Sequence, residues 1–234
     1  MAATKVLIVD DDPQARRVLR MALIPRGFEV TDARSGEDAL EILRHDLPDL
    51  ILLDLKMPGI GGLETCRSIR EYSEVPIIIV SARKSQQEKV QALESGADDF
   101  VTKPIGIEEL VARMHAATRR PSAGMYSRIV RLDTVEIDLE SHEVKRGETL
   151  DHLTAKEFKL LHYFLQNAGK VVTHRRLLQA VWGPDYGNEI EYLRVFINQL
   201  RKKIEPDPSQ PKYILTEPSF GYRFASIVKA SGKY

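Results

Sequence analysis

The chain has 234 residues, 43% of them hydrophobic, with 34 basic and 34 acidic side chains and no net charge. That length suits two domains, each large enough to bury a core, and the charge balance excludes a wholesale preference for acidic or basic partners. A single cysteine, Cys66, excludes an intramolecular disulfide, and no apolar run is long enough to span a bilayer. With no signal-peptide-like apolar start, the expectation is a cytoplasmic protein with no membrane part. Residues 1–120 carry 17 basic and 20 acidic side chains and the remainder 17 and 14, a tilt that suits nucleic acid binding by the second half.

In the first half, short apolar runs alternate with segments of helical period. Val6–Val9, Glu29–Ala33, Leu50–Asp54, Pro76–Ser81 and Asp99–Thr102 read as strands. Several are nearly continuous in Val, Ile and Leu, as strands covered on both faces should be. Ala15, Val18, Leu19, Ala22 and Leu23 fall on one helix face, with Asp12 as its cap and Pro13 at its first position. Five strands alternating with five helices predict a doubly wound parallel sheet. Ligands of such sheets bind beyond the carboxyl ends of the strands.

The run "VLIVDDDPQ", Val6 to Gln14, ends its strand in adjacent carboxylates that repel one another unless something binds them. Asp10 and Asp11 follow the first strand, Asp54 ends the third, Ser81 the fourth, and Lys103 follows the fifth. A hard divalent cation, Mg2+ or Mn2+, would offset that repulsion and draw in a phosphoryl group. Asp54 could then attack the phosphoryl group as a carboxylate nucleophile, with Ser81 and Lys103 on its oxygens.

These residues carry a resemblance. "VDDD", "LLDLKMPG", "VSAR" and "ADDFVTKP" stand in the order and spacing of the receiver domain of two-component response regulators, over about residues 4–121. The resemblance implies a flavodoxin-like fold over 1–118, phosphoryl transfer to Asp54 from a sensor histidine kinase, and metal ligation by Asp11, Asp54 and the Lys56 carbonyl, with Asp10 acting mainly through water. It implies that Phe100 is a switch aromatic that swings inward when Ser81 moves; the plain alternative is an ordinary core phenylalanine. It also implies a cis Lys103–Pro104 bond. A phosphorylated receiver would pair as a homodimer, with Lys89 against Glu109, Asp99 against Arg113 and Asp98 against Arg120. The alternative is a solvated face of mixed charge. Such a chain is not a conventional enzyme, although Lys56 and Arg83 flank the path of a hydrolytic water and bear on its own dephosphorylation.

"RRPSAGMYSR", residues 119–128, has no apolar period and reads as a linker. Beyond it Ile129–Asp133, Val135–Leu139, Glu143–Arg146 and Glu148–His152 alternate as an antiparallel meander. Thr154 and Glu157 have capping-box spacing ahead of Phe158, Leu161 and Leu165, and Thr173 can cap the short helix in "THRRLLQAVWG". A loop at Gly183–Asn188 leads to a helix over Glu189–Ile204, and Tyr213–Leu215 and Tyr222–Phe224 form a hairpin around Pro218 and Gly221. Leu193, Ile197, Leu200 and Ile204 make the buried stripe of that helix. Glu191, Arg194, Val195, Asn198, Arg201 and Lys202 lie opposite, a mixture suited to a major groove. The cations near its end also suit the helix dipole without any ligand.

"LTAKEF", "VWG", "LRKKIE" and "GYRF" are similar to the DNA-binding domain of OmpR/PhoB-type regulators, an α+β winged helix-turn-helix over 129–227, leaving 228–234 as a tail. The resemblance implies groove contacts by Arg194, Asn198, Arg201 and Lys202, and phosphate contacts by Thr173, Arg175, Arg176 and Arg223. It further implies double-stranded promoter DNA in direct repeats and RNA polymerase as partners. Many relatives carry an arginine at the wing tip where this chain has Pro218. Trp182 reads as a core anchor, and His142, His152, His162 and His174 are too scattered for a metal site. "SAR", "KPIGIEEL", "AVWGP" and "EYLRVF" are most similar to the potassium-uptake (Kdp) branch of the family, which implies a KdpD-like kinase. Two other readings stand beside this one: a constitutive DNA-binding regulator whose receiver does not switch, and a metal-dependent aspartyl-phosphate phosphohydrolase. Lys56 opposes the latter, since phosphatases of the haloacid-dehalogenase type need an acid two residues after the nucleophile.

Overall fold

The computed structural model describes residues 3–82, 85–118 and 129–225. The linker, the C-terminal tail, Arg83 and Arg120 therefore lie outside the described residues. The chain divides into two compact units, 1–119 and 120–234.

The first unit runs β1 (Thr4–Val9), α1 (Pro13–Leu23), β2 (Phe28–Ala33), α2 (Gly36–His45), β3 (Leu50–Leu53), α3 (Gly61–Arg70), β4 (Ile77–Ser81), α4 (Gln86–Glu94), β5 (Asp99–Thr102) and α5 (Ile107–Thr118). All five strands are parallel, in the order β2-β1-β3-β4-β5. Val6–Val9 of β1, all of β3 and all of β4 are buried, because helices cover both faces. β2, at the edge, alternates buried and exposed through Val30. Asp12 caps α1 by accepting from the Gln14 amide at 2.9 Å, with Pro13 in the first turn. Leu19 and Leu23 are buried as the helical period predicts, but Val18 is 60% exposed. The buried stripe of α1 is thus narrower than the apolar stripe of its sequence.

Register decides what meets at the strand ends. Val9 pairs with Leu53, and the Asp54 amide donates to the Val9 carbonyl at 2.9 Å. Asp10 and Asp54 therefore emerge side by side where the chain crosses from β1 outward in both directions. Ser81 pairs with Thr102, and the Lys103 amide donates to the Ser81 carbonyl at 2.8 Å. The Lys103–Pro104 bond is cis.

The second unit opens with an antiparallel sheet, β6 (Ile129–Leu132), β7 (Val135–Asp138), β8 (Glu143–Arg146) and β9 (Thr149–His152), paired in chain order. α6 (Ala155–Gln166) follows, with both halves of the Thr154/Glu157 capping box in place. Then come β10 (Val171–Thr173), α7 (His174–Trp182), α8 (Ile190–Ile204), β11 (Ile214–Glu217) and β12 (Gly221–Phe224). β10 completes a three-stranded sheet, β10-β12-β11. The sequence reading has no counterpart for it: three residues are too short for a period. Its contact requires Gly221, where a Cβ would lie 2.0 Å from the Val172 carbonyl oxygen. Trp182 is buried with its ring edge-on to Phe196, centroids 5.0 Å apart.

Three side chains clamp the carboxyl end of α8. Glu205, fully buried, accepts from the amides of Lys212, Tyr213 and Ile214 at 2.7–3.1 Å and so ties β11 to the helix. Arg146 of β8 donates to the carbonyls of Lys202 and Lys203 at 2.6 and 2.7 Å, placing a cation at the negative helix end. Lys203 reaches Glu157 at 2.7 Å. Glu205→Ala should lower the stability of this unit by about 3 kcal/mol or more, since three amides lose a charged acceptor. Its denaturant midpoint measures the loss.

Candidate functional site

At the carboxyl edge of the parallel sheet, ligand oxygens of Asp10, Asp11 and Asp54 all lie within 4.8 Å of one another. Asp10 and Asp54 are buried and Asp11 is exposed. Lys103 bridges the buried pair, its Nζ 2.7 Å from Asp10 Oδ2 and 3.3 Å from Asp54 Oδ2. Burial works against the Lys103 charge, but the hydrogen bond and charge of Asp10, joined by Asp54, outweigh it and hold its pKa above the usual lysine range. The other oxygens are also engaged: Asp10 Oδ1 accepts from the Asp12 amide at 3.0 Å and Asp54 Oδ1 from the Leu55 amide at 2.7 Å. The carboxylates are therefore oriented by backbone and ion pair. Three converging oxygen donors fit a hard divalent cation, and the exposed Asp11 leaves it a route from solvent.

Ser81 is fully buried at the end of β4, Phe100 is buried on β5, and the Lys56 side chain is exposed. Two positioning residues have no signal in the sequence reading. Arg16 of α1 donates to the Asp10 carbonyl at 2.5 Å, and Gly62 lets α3 start against the Asp54 loop, where a Cβ would stand 2.2 Å from the Asp54 carbonyl oxygen. The paired glycines 61 and 62 are the visible trace of that approach.

The residues expected to pair receivers lie in this unit as follows. Arg113 reaches Glu109 at 2.7 Å and Asp99 at 3.4 Å within its own chain, and Lys89 Nζ lies 5.8 Å from the Phe100 ring centroid. Asp98 is turned inward rather than outward: it is 1% exposed, and its Oδ2 accepts from Arg70 at 2.8 Å and from the Ile77 amide at 2.9 Å. Its position just before β5 does not reveal that Arg70 of α3 reaches across to it.

In the second unit, Arg194, Asn198 and Lys202 are exposed along one face of α8. Val195, read from sequence onto that face, is buried at 7% exposure, because α8 is packed on more than one side. Tyr192 and Phe196 are likewise buried. Arg201 is held against the hairpin: Nε and Nη2 donate to the Ile214 carbonyl at 3.1 and 2.6 Å, Nη2 reaches Thr216 Oγ1 at 2.9 Å, and the guanidinium lies 5.8 Å from the Tyr222 ring centroid. Arg194 pairs with Glu191 at 2.6 Å and Arg223 with Glu217 at 2.7 Å. Thr173 caps α7 by accepting from the Arg176 amide, with Arg175 and Arg176 exposed on its first turn. This helix start and the α8 face together present cations and hydrogen-bonding groups as a duplex would need them.

Among the described residues no helix is long and apolar enough to cross a membrane. The response regulator receiver domain family matches residues 6–115, and the family of transcriptional regulatory protein C-terminal domains matches residues 148–224. The chain is 45% identical over 222 residues to the KDP operon transcriptional regulatory protein KdpE of Escherichia coli (strain K12). It is 43% identical over 223 residues to the transcriptional regulatory protein KdpE of Mycobacterium tuberculosis (strain ATCC 25618 / H37Rv). Each alignment covers 94% of this chain and 99% of the relative. Among solved structures, a mutant of RitR aligns with a TM-score of 0.76 at 26% identity, over 94% of this chain and 98% of that one. Response regulator DrrB, a Thermotoga maritima OmpR/PhoB homolog, aligns with a TM-score of 0.51 at 31% identity, over 95% and 99%.

The contrast along α8 is testable without DNA. Arg201→Ala should destabilise the second unit by about 2 kcal/mol, by stripping donors from the Ile214 carbonyl. Arg194→Ala and Lys202→Ala should stay within about 0.5 kcal/mol of the parent. Thermal denaturation of the three variants separates the brace from the exposed side chains.

Proposed function

This chain belongs to the OmpR/PhoB-type response regulators, and from that premise we propose that Asp54 is the phosphoryl acceptor through which a KdpD-like sensor histidine kinase controls its DNA binding at a potassium-uptake operon. The observation that carries this reading is the β1–β3 register, which sets Asp54 beside Asp10 with Lys103 bridging both. In the transfer, an Asp54 carboxylate oxygen forms a bond to phosphorus as the bond from phosphorus to the kinase imidazole breaks. The backbone amide of Leu55 holds the other oxygen and so aims the nucleophile. Lys103 shifts from Asp54 toward a phosphoryl oxygen while keeping Asp10, and the Ser81 hydroxyl donates to another. When bound, Mg2+ or Mn2+ held by Asp11, Asp54 and the Lys56 carbonyl, with Asp10 acting through water, supplies positive charge that neutralises the carboxylates and the phosphoryl oxygens. The exposed Lys56, two residues from Asp54, and Arg83, which lies outside the described residues, bear on the later hydrolysis of the acyl phosphate by water.

The added charge of roughly −1.5 to −2 biases an element with two arrangements. Ser81 and Phe100 form that element, and Lys89, Asp99, Glu109 and Arg113 then exchange partners within the chain for partners in a second receiver. Asp98 must leave Arg70 to take part in its expected pairing with Arg120, which lies outside the described residues. Paired receivers deliver two winged helices to direct repeats about 10–10.5 bp apart, with Arg194, Asn198 and Lys202 toward the major groove and Thr173, Arg175, Arg176 and Arg223 toward phosphates. The protein then acts with RNA polymerase, in the cytoplasm.

Incubation with Mg2+ and a small acyl-phosphate donor should add one phosphoryl group, seen by intact mass, to the wild type and none to Asp54→Asn. Chelation of Mg2+ should abolish the addition, and Asp11→Asn should weaken it. Binding to a potassium-uptake promoter at fixed salt should tighten with donor in the wild type alone. Equal tight binding in every sample would instead favour constitutive binding.

A further inference from the structure

The loop that leads from Asp54 into α3 is rich in glycine: Gly59 and Gly61 take left-handed conformations at φ 79° and 71°, and Gly62 follows. Such a segment is ordered by its anchors more than by its backbone. Met57 is buried, the Gly62 amide donates to the Leu55 carbonyl at 3.3 Å, and Thr65 Oγ1 donates to the Gly61 carbonyl at 2.7 Å. Ile60, which begins α3, has no capping side chain of its own, and Leu63 stands three residues on, where a capping box would place a glutamate. The missing acceptor comes from another helix. Glu37, exposed in the first turn of α2, accepts from the Ile60 amide through Oε1 at 3.0 Å. Gly59 permits that approach, since a Cβ there would lie 2.3 Å from the same oxygen, and Gly36 brings the two helix starts together, where a Cβ would lie 2.0 Å from Thr65 Oγ1. Amide donation, from its own backbone and then from Ile60, holds the Glu37 carboxyl below the usual carboxylate range, so it meets the positive start of α3 as an anion.

The start of α2 is itself tied to the segment that carries Asp10 and Asp11. The Asp10 amide donates to the Ala33 carbonyl at 3.2 Å, the Arg34 amide to Asp38 Oδ2 at 2.9 Å, and Ser35 caps α2 by accepting from the Asp38 amide at 3.2 Å. Glu37 therefore links the segment that follows β1 to the loop that follows β3, which holds Asp54 and Lys56. We infer that Glu37 is a positioning residue of the cation site: it fixes the loop that presents Asp54 and the Lys56 carbonyl, and so sets the affinity for Mg2+. The inference deepens the phosphoryl-acceptor reading above and rests on it. Side chains that orient the ligands of a metal tune its affinity without touching it. Loss of this one hydrogen bond frees an Ile60 flanked by glycines and adds an ordering cost that cation binding must meet.

The test measures Mg2+ binding to the full-length protein by calorimetry without a phosphoryl donor, and then phosphorylation from a small acyl-phosphate donor against Mg2+ concentration, read by intact mass. Glu37→Ala should weaken Mg2+ binding roughly fivefold, the equivalent of one hydrogen bond. Glu37→Gln keeps an acceptor oxygen for the Ile60 amide and should bind Mg2+ as the parent does. In Glu37→Ala the Mg2+ concentration for half-maximal rate should rise by the same factor, while the rate at saturating Mg2+ returns to that of the parent. Because Glu37 is exposed, the metal-free thermal midpoint should not move. Parent Mg2+ affinity in Glu37→Ala would overturn the inference. So would weaker binding accompanied by a lowered metal-free midpoint, which would assign Glu37 to the fold alone. A loss in Glu37→Gln as large as in Glu37→Ala would also overturn it, assigning the effect to the charge at α3. If the wild type itself neither binds Mg2+ nor takes up a phosphoryl group, the phosphoryl-acceptor reading fails and the inference falls with it. That outcome is distinct from parent affinity in Glu37→Ala beside a wild type that binds.

Discussion

The backbone register of β1 on β3 is the constraint from which the receiver site follows. A parallel pair offset by one residue would send one of the two aspartates to the opposite face of the sheet. With Val9 opposite Leu53, Asp10 and Asp54 leave the sheet together, and two buried carboxylates with oxygens within 4.8 Å demand a compensating cation. Lys103 supplies it from the end of β5, two strands away, because β4 and β5 are also in register at their ends. The repulsion that would make an isolated acidic cluster costly is the feature that fits this one to a divalent cation and a phosphoryl group.

The second unit is organised around a different necessity, the rigid presentation of one helix. α8 commits its apolar stripe to the core, and its carboxyl end is held by Arg146 from one sheet and by Glu205 and Arg201 on the other side. These bonds make the helix and the hairpin one body, so side chains on both can meet a ligand at a fixed separation. Preorganisation of this kind lowers the ordering cost of binding. It also divides the α8 cations into two kinds: Arg201, which braces the scaffold, and Arg194 and Lys202, which stand out from it.

Much of this was legible in the residues. Alternating apolar runs and helical periods located the receiver strands to within a residue or two, and the caps at Asp12, Thr154 and Thr173 are local bonds that sequence spacing encodes directly. β10 was not legible, since three residues carry no period and its partner lies about fifty residues on. Val18 and Val195 misled for a shared reason: periodicity marks which residues share a face but not how wide a neighbour covers that face.

The sequence by itself determined the two-domain division of labour, the identity of the acidic and cationic residues at the strand ends, and the apolar stripe of α8. Those depend on residue type and on spacing along one element, which local geometry converts into position. Only the tertiary structure decided that Lys103 bridges two aspartates, that Asp98 answers to Arg70, that Arg201 is committed to the hairpin and that Glu37 reaches the Ile60 amide. Each of these is a contact between segments distant in the chain, and such contacts are set by register and packing that no single segment contains.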